Sequence, residues 1–349
     1  MIWISARDGI FIRACRGMEV PRHPVWFMRQ AGRYLPNYGK IKGGRNILEV
    51  QKDPEASSEI TVLPVRELGV DAAILYTDIM VPVSASGFNI RIEENVGPVA
   101  ERPLSTKEQI EGFGDFKCEN DAPYVIENIE RTKEKLPDEL PLIGFSAAPF
   151  TLMSYLFEGR PSRTFERCRS IMRNDPELWN GSMNLATAMI TSYLHSQIKA
   201  GVDAVQLFDS WAGFLTEQEY RKNVLPYTKR IFSALPENLV KIHFSSRNSG
   251  LLDCFAETGC NVLSVDHATD MHGAYARFGG KLAMQGNLDP EAACRGGSAM
   301  DKQALSILDS MEGINGFVFN LGHGVLKDTN PENLKRIVRM VKSRRTQSS

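Results

Sequence analysis

The sequence predicts an α/β chain folded as a single (β/α)8 TIM barrel, with its site at the C-terminal mouth. Three observations predict it. Eight short apolar stretches recur along the 349 residues, amphipathic segments separate them, and a polar or charged residue stands just past each stretch. A short, nearly continuous apolar run is what a parallel strand buried on both faces requires.

In order, the stretches are PVWFM (24–28), DAAILY (71–76), PLIGF (141–145), VDAVQLF (202–208), LVKIHF (239–244), NVLSV (261–265), KLAMQ (281–285) and GFVFNL (316–321). Between them, residues 183–200 place Leu185, Met189, Tyr193 or Leu194, and Ile198 at helical spacing, and Gly201 follows as a stop. Thr329-Asn330-Pro331-Glu332 offers a cap and a first-turn proline ahead of Leu334, Ile337, Val338 and Val341. An open doubly wound sheet would show the same alternation, but no GxGxxG follows the first stretch, which favours the barrel. No linker or repeat interrupts the pattern. One domain over residues 1–342 is expected, with 343–349 as a disordered tail.

The residues just past the stretches are Arg29, Asp78, Ser146, Asp209 with Ser210, Ser245, Asp266 with His267, Asn287 with Asp289, and His323. A barrel would crowd them at one mouth.

A net charge of −1 gives no global support for nucleic-acid binding. Charge is nonetheless uneven. Residues 11–50 carry eight Arg and Lys (Arg13, Arg16, Arg22, Arg29, Arg33, Lys40, Lys42, Arg45) against Glu19 and Glu49, which points to a confined anion site or to a solvated basic face. Six scattered cysteines without a CxxC pair read as reduced thiols. MIWISARDGIF lacks the cationic start and apolar core of an export signal, and no apolar run is long enough to cross a bilayer. A cytoplasmic protein without membrane contact is expected.

Arg29 and Arg33 flank Gln30-Ala31-Gly32. Guanidinium grips a carboxylate through two parallel hydrogen bonds and keeps its charge at any working pH. Small Ala31 and Gly32 let a ligand approach the backbone, although each arginine could instead pair with a surface acid. Asp78 follows an apolar stretch and precedes Ile79-Met80-Val81, so it is either a helix cap or a carboxylate held in apolar surroundings. His323 lies between two glycines, which permit an exposed turn. His195 reads as structural, His23 and His272 as solvated, and His243 and His267 as either cleft-facing or satisfied core residues.

PVWFMRQAGRYLPNY (24–38) and GFSAAPFTLMSYLFEG (144–159) resemble the signatures of the uroporphyrinogen decarboxylase family. YTDIMVP (76–82), QLFDSWAG (206–213), MQGNLDP (284–290) and LGHGVLKDTNPENL (321–334) extend the likeness over nearly the whole chain. Asn37, Ala147 and Lys327 depart from the usual residues. The resemblance implies a cytoplasmic homodimer of (β/α)8 barrels without metal or prosthetic group. It would convert uroporphyrinogen III to coproporphyrinogen III and CO2 by four acetate decarboxylations on the way to haem. It also implies that the segment from Arg29 through Gln30, Ala31 and Gly32 to Arg33 lines the cleft and that the arginines hold carboxylates. Asp78 would gather the pyrrole N–H groups, and Tyr155, Ser210 and His323 would make further substrate contacts. Asp78, Arg29 and Arg33 are then the expected catalytic residues.

Two rivals stand against that reading. A zinc methyltransferase of the same barrel superfamily would need thiolates where this chain has His243-Phe244-Ser245 and Gly322-His323-Gly324. A non-catalytic tetrapyrrole carrier would have no use for a carboxylate buried in an anion-binding cleft.

Overall fold

The computed structural model describes residues 9–93, 96–247 and 250–346. Nine strands are present among them: β1 (Ala73–Ile74), β2 (Ile90–Glu93), β3 (Gly97–Ala100), β4 (Leu142–Ala147), β5 (Ala204–Phe208), β6 (Val240–Phe244), β7 (Val262–Ser264), β8 (Ala283–Leu288) and β9 (Phe317–Leu321). Seven form one curled parallel sheet in the order β1-β4-β5-β6-β7-β8-β9, and β2 and β3 form a separate antiparallel hairpin. Helices cross between the parallel strands, so all seven C-terminal ends emerge on the same side.

Seven of the eight apolar stretches supply a strand of this sheet. The first, 24–28, does not. It makes one isolated parallel bridge, Val25 to Phe319, flanked by bonds from Phe319 N–H to Pro24 O (2.9 Å) and from Trp26 N–H to Phe319 O (3.3 Å). On its other side Asp71 N–H donates to Val25 O at 2.7 Å. Two causes keep a ladder from forming. Pro24 has no N–H to give. Side chains also occupy groups a ladder would use: Val25 N–H donates to Asp71 Oδ2 (2.9 Å), Met28 N–H to Asn320 Oδ1 (3.1 Å), and Gln30 Nε2 to Ala72 O (3.0 Å).

The interior of the sheet is also less aliphatic than the stretches suggest. Trp26 Nε1 donates to Gln285 Oε1 at 2.9 Å, and Gln285 Nε2 donates to Ser264 Oγ (2.9 Å) and Gln206 Oε1 (3.2 Å). All four side chains are buried, so each bond offsets a desolvation cost.

The helices follow the periodicity closely. One runs from Pro176 to Ala200, with Asp175 accepting Leu178 N–H and Gly201 ending it at φ 111°. Another, Pro331–Ser343, is capped by Asn330 and buries Leu334, Ile337, Val338 and Val341, the four predicted positions. Ser343 ends that helix, Arg344 pairs with Asp309, and Thr346 N–H donates to Pro21 O at 3.2 Å; residues 347–349 lie outside the described part. Among the described residues no helix is long and apolar enough to cross a membrane.

Candidate active site

Arg29 sits where the 24–28 segment turns away from the sheet. Its backbone is left-handed, at φ 58°, and its side chain is exposed. Among the described residues its guanidinium has no hydrogen-bond or ion-pair partner. The loop after β9 is moulded to it. A Cβ on Gly324 would lie 2.5 Å from Arg29 Cδ, and one on Gly322 would lie 2.2 Å from the His267 nitrogen. Val325 N–H bonds Met28 O at 2.9 Å. The glycines around His323 therefore serve close packing more than an open turn.

Asp78 is half-buried beyond β1. Its N–H donates to Gln51 Oε1 (3.0 Å), and its Oδ1 accepts Met80 N–H (2.8 Å) just before the short helix Val81–Ala85. Asp78 thus braces the turn ahead of the helix rather than capping it, since Met80 is the N-cap and no side chain caps that end; among the described residues no donor reaches Oδ2. Burial raises the Asp78 carboxyl above its ordinary value, while the Met80 N–H and the Arg29 charge oppose that rise.

Tyr155, on helix Pro149–Glu158, is almost wholly buried and meets the Trp211 ring edge-on at 6.0 Å. Burial raises its phenol; Asp78 pushes the same way and Arg29 the other, which places the three groups in one electrostatic neighbourhood. Ser210 is half-buried between Asp209 and Trp211. His323 packs edge-on to Phe244 at 5.8 Å. Burial lowers its imidazole to about 4, and the Arg29 charge adds to the fall, so the ring is neutral at pH 7.

The structure thus brings Arg29, Asp78, Tyr155 and His323 together at the C-terminal ends of the strands, with Ser210 beside them. It places Gln30 elsewhere. Gln30 is fully buried, its Oε1 accepting Phe27 N–H (3.2 Å) and its Nε2 bonded to Ala72, so its amide is committed to the fold. Ala31 and Gly32 are half-buried, and Arg33 is exposed near the Tyr38 phenol. Tyr38 in turn shares a 2.8 Å bond with the Tyr76 hydroxyl, two residues before Asp78. Arg33→Lys keeps the charge but loses the two-pronged grip, so KM for the substrate is expected to rise several-fold. Unaltered saturation curves would remove Arg33 from the site.

Sequence reasoning missed the support beneath Ser210. Asp209 is fully buried; its Oδ1 accepts Thr151 Oγ1 (3.1 Å), its Oδ2 accepts Tyr220 O–H (3.2 Å), and His243 Nε2 lies 3.6 Å away. Thr151 also accepts Trp211 N–H at 3.3 Å, which ties the Tyr155 helix to the Ser210 loop. Four other histidines are placed as follows. His243 is enclosed by Phe232 and Phe255, while His267 is exposed at the mouth. His195 bonds Ala234 O at 2.9 Å. His23 is buried against Met311 O at 3.1 Å rather than solvated, and burial lowers it to about 4.

The uroporphyrinogen decarboxylase (URO-D) family model matches residues 7–344. The chain belongs to the uroporphyrinogen decarboxylase family. It is 43% identical to the uroporphyrinogen decarboxylase of Streptomyces coelicolor over 340 residues, covering 97% of this chain and 95% of that one. It is 41% identical to a uroporphyrinogen decarboxylase of Thermus thermophilus, covering 96% of this chain and 97% of that one. Among solved structures, a methyltransferase from Methanosarcina mazei superposes with a TM-score of 0.77 at 20% identity, covering 95% of this chain and 97% of that one, a likeness of fold.

Within the family fold, volume alone would mislead. A cavity of about 640 Å³ opens at the N-terminal ends of β6, β8 and β9, lined by Arg16, Asn238, Asn261 and Lys281 among others. It lies at the opposite end from Asp78 and Arg29. Among the described residues no group of three or more His, Cys, Asp or Glu side chains could hold a metal ion.

Proposed function

We propose that this chain is a carboxy-lyase that takes uroporphyrinogen III to coproporphyrinogen III, removing the acetate carboxyls one after another as CO2 without metal or cofactor. The observation that carries the reading is the pairing of Asp78, with one oxygen left for a ligand, and the unpartnered Arg29 at one mouth.

The chemistry asks for little else. Losing CO2 from an acetate arm leaves an electron pair that needs a sink. Protonating the pyrrole supplies one, because the resulting cation accepts the pair. An Asp78 carboxylate beneath the ring nitrogens would stabilise that cation. At roughly 4 Å and an effective dielectric near 20, the attraction is on the order of 4 kcal/mol. Acting only on the charged transition state, that is roughly a thousandfold in rate. Arg29 and Arg33 orient carboxylates, and neutral His323, Ser210 and Tyr155 offer polar and ring contacts. Gln30, Ala31 and Gly32 contribute by fixing the turn that aims the arginines.

The same reading includes a complete eight-membered barrel, with 24–28 closing the ring between β9 and the residues before β1, in one domain over residues 1–342. The double-sided bonding of Val25 supports that closure. A cytoplasmic homodimer completes the proposal.

The test is conversion of the reduced, colourless macrocycle, followed by oxidation and separation of the porphyrins by carboxylate number. Progressive loss of carboxylates is expected, at the same rate with and without a strong chelator. Zinc-dependent recovery of a stripped sample would overturn the cofactor-free mechanism.

A further inference from the structure

Arg29 and Arg33 come from one segment, so they reach one side of a ligand that carries carboxylates around its whole rim. The far side needs its own cation. We propose that Arg247 supplies it: a third carboxylate-binding guanidinium facing Arg29 across the mouth, a role that rests on the decarboxylase reading above.

Placement is the first argument. Arg247 follows β6, the fourth of the seven parallel strands, whereas the Arg29 segment bridges to the seventh and bonds to Asp71 ahead of the first. In a curled sheet the fourth strand faces the two edges, so the arginines stand on opposite rims.

Construction is the second. Arg247 is exposed, and among the described residues its guanidinium forms no ion pair. Its backbone is left-handed at φ 56°, pinned by a 2.6 Å bond from its N–H to Asp266 Oδ2. Gly213 makes room for it: a Cβ there would lie 2.3 Å from Ser246 O and 2.7 Å from Arg247 Cβ. Its guanidinium sits 5.0 Å from the centre of the Phe214 ring, which orders the charge without neutralising it. Phe214 continues through Trp211 to Tyr155, whose phenol feels Asp78 and Arg29.

Strain is the third. Among the described residues three non-glycines have positive φ: Arg29, Phe165 and Arg247. Two are the facing arginines, and Phe165 packs on Trp211 (4.8 Å) and Phe214 (5.3 Å) in the same wall. Costly backbone conformations persist where surrounding structure holds them for a purpose.

The test uses R247N, because asparagine tolerates left-handed backbone, with R247K as the charge-retaining partner. Oxidised uroporphyrin serves as a non-reacting probe, titrated by fluorescence at two salt concentrations beside steady-state kinetics on uroporphyrinogen. R247N should weaken porphyrin binding roughly tenfold to a hundredfold and flatten its salt dependence. The kinetic effect should fall on KM rather than kcat, and R247K should recover part of the loss. Binding by R247N equal to that of the parent overturns the proposal. So does an equal loss in both variants that tracks a lowered melting temperature. If the parent leaves uroporphyrinogen unconverted, the decarboxylase reading fails instead, and the porphyrin titration still decides Arg247.

Discussion

Asp78→Asn is expected to lower turnover by roughly two to four orders of magnitude while the protein folds as before. Asparagine can still accept the Met80 N–H, so the local turn survives. It cannot offset a pyrrolic cation, and its own NH2 would face the ring donors. Stability should hold or rise. Because burial raises the Asp78 carboxyl in the folded state, the folded chain binds its proton more tightly than the unfolded chain does. Stability from this group is therefore greatest below its unfolded pKa and is lost as pH climbs through the raised folded value. Asparagine removes that loss. Asp78→Glu keeps the charge on a longer arm and should retain partial activity, releasing incompletely decarboxylated intermediates. The measurements are turnover and thermal melts of both variants. Parental turnover in Asp78→Asn would refute the mechanism even with the family membership intact.

Arg29→Asn should cost about a hundredfold in kcat/KM, on the order of 3 kcal/mol for a lost charge-assisted carboxylate contact in a partly dry site. Asparagine is chosen because φ is 58° at this position. Gly324→Ala separates charge from placement. It leaves Arg29 in the sequence but puts a methyl 2.5 Å from its side chain, so the guanidinium must move. A fall in kcat/KM intermediate between parent and Arg29→Asn is expected. Full activity in Arg29→Asn, measured on the reduced macrocycle, would assign carboxylate binding elsewhere.

Much of this was legible from residues alone. Continuous apolar runs bounded by polar residues located all seven strands of the parallel sheet, because strands buried on both faces leave that mark whatever their neighbours. Helical spacing and the Asn330-Pro331 start fixed the last helix for the same local reason. What escaped was non-local or compensated. The stretch 24–28 has the composition of a strand, yet Asp71, Gln30 and Asn320 capture its ladder groups from 46 residues away, from nearby, and from 292 residues away. The hairpin β2–β3 went unread because its four-residue strands are half-exposed and never form an apolar run. At the site, Asp78 and Arg29 were both expected at one mouth, and in the structure the Arg29 charge acts on the Asp78 carboxyl, whereas the Gln30 amide, expected at the substrate, braces the turn. Arg247 gave no signal, since a lone arginine after Ser245-Ser246 becomes meaningful only when β6 is seen to face the sheet's two edges.

The bridge between Val25 and Phe319 also sets a timetable for biosynthesis. The Arg29 segment leaves the ribosome well before half of its seat: Asp71 and Ala72 follow soon, but Phe319, Asn320 and the loop through Gly324 come almost 300 residues later. Trp26 waits likewise for Gln285. Helices and adjacent strands can assemble in sequence as synthesis proceeds, whereas this stretch, which holds tryptophan, phenylalanine and methionine, can bond early only to Asp71 and Ala72 and lacks its other flank until β9 is made. The seating of Arg29 is therefore completed only when β9 and the loop after it are made, and a nascent chain stalled short of β9 carries an apolar, cationic segment that is docked on one flank alone.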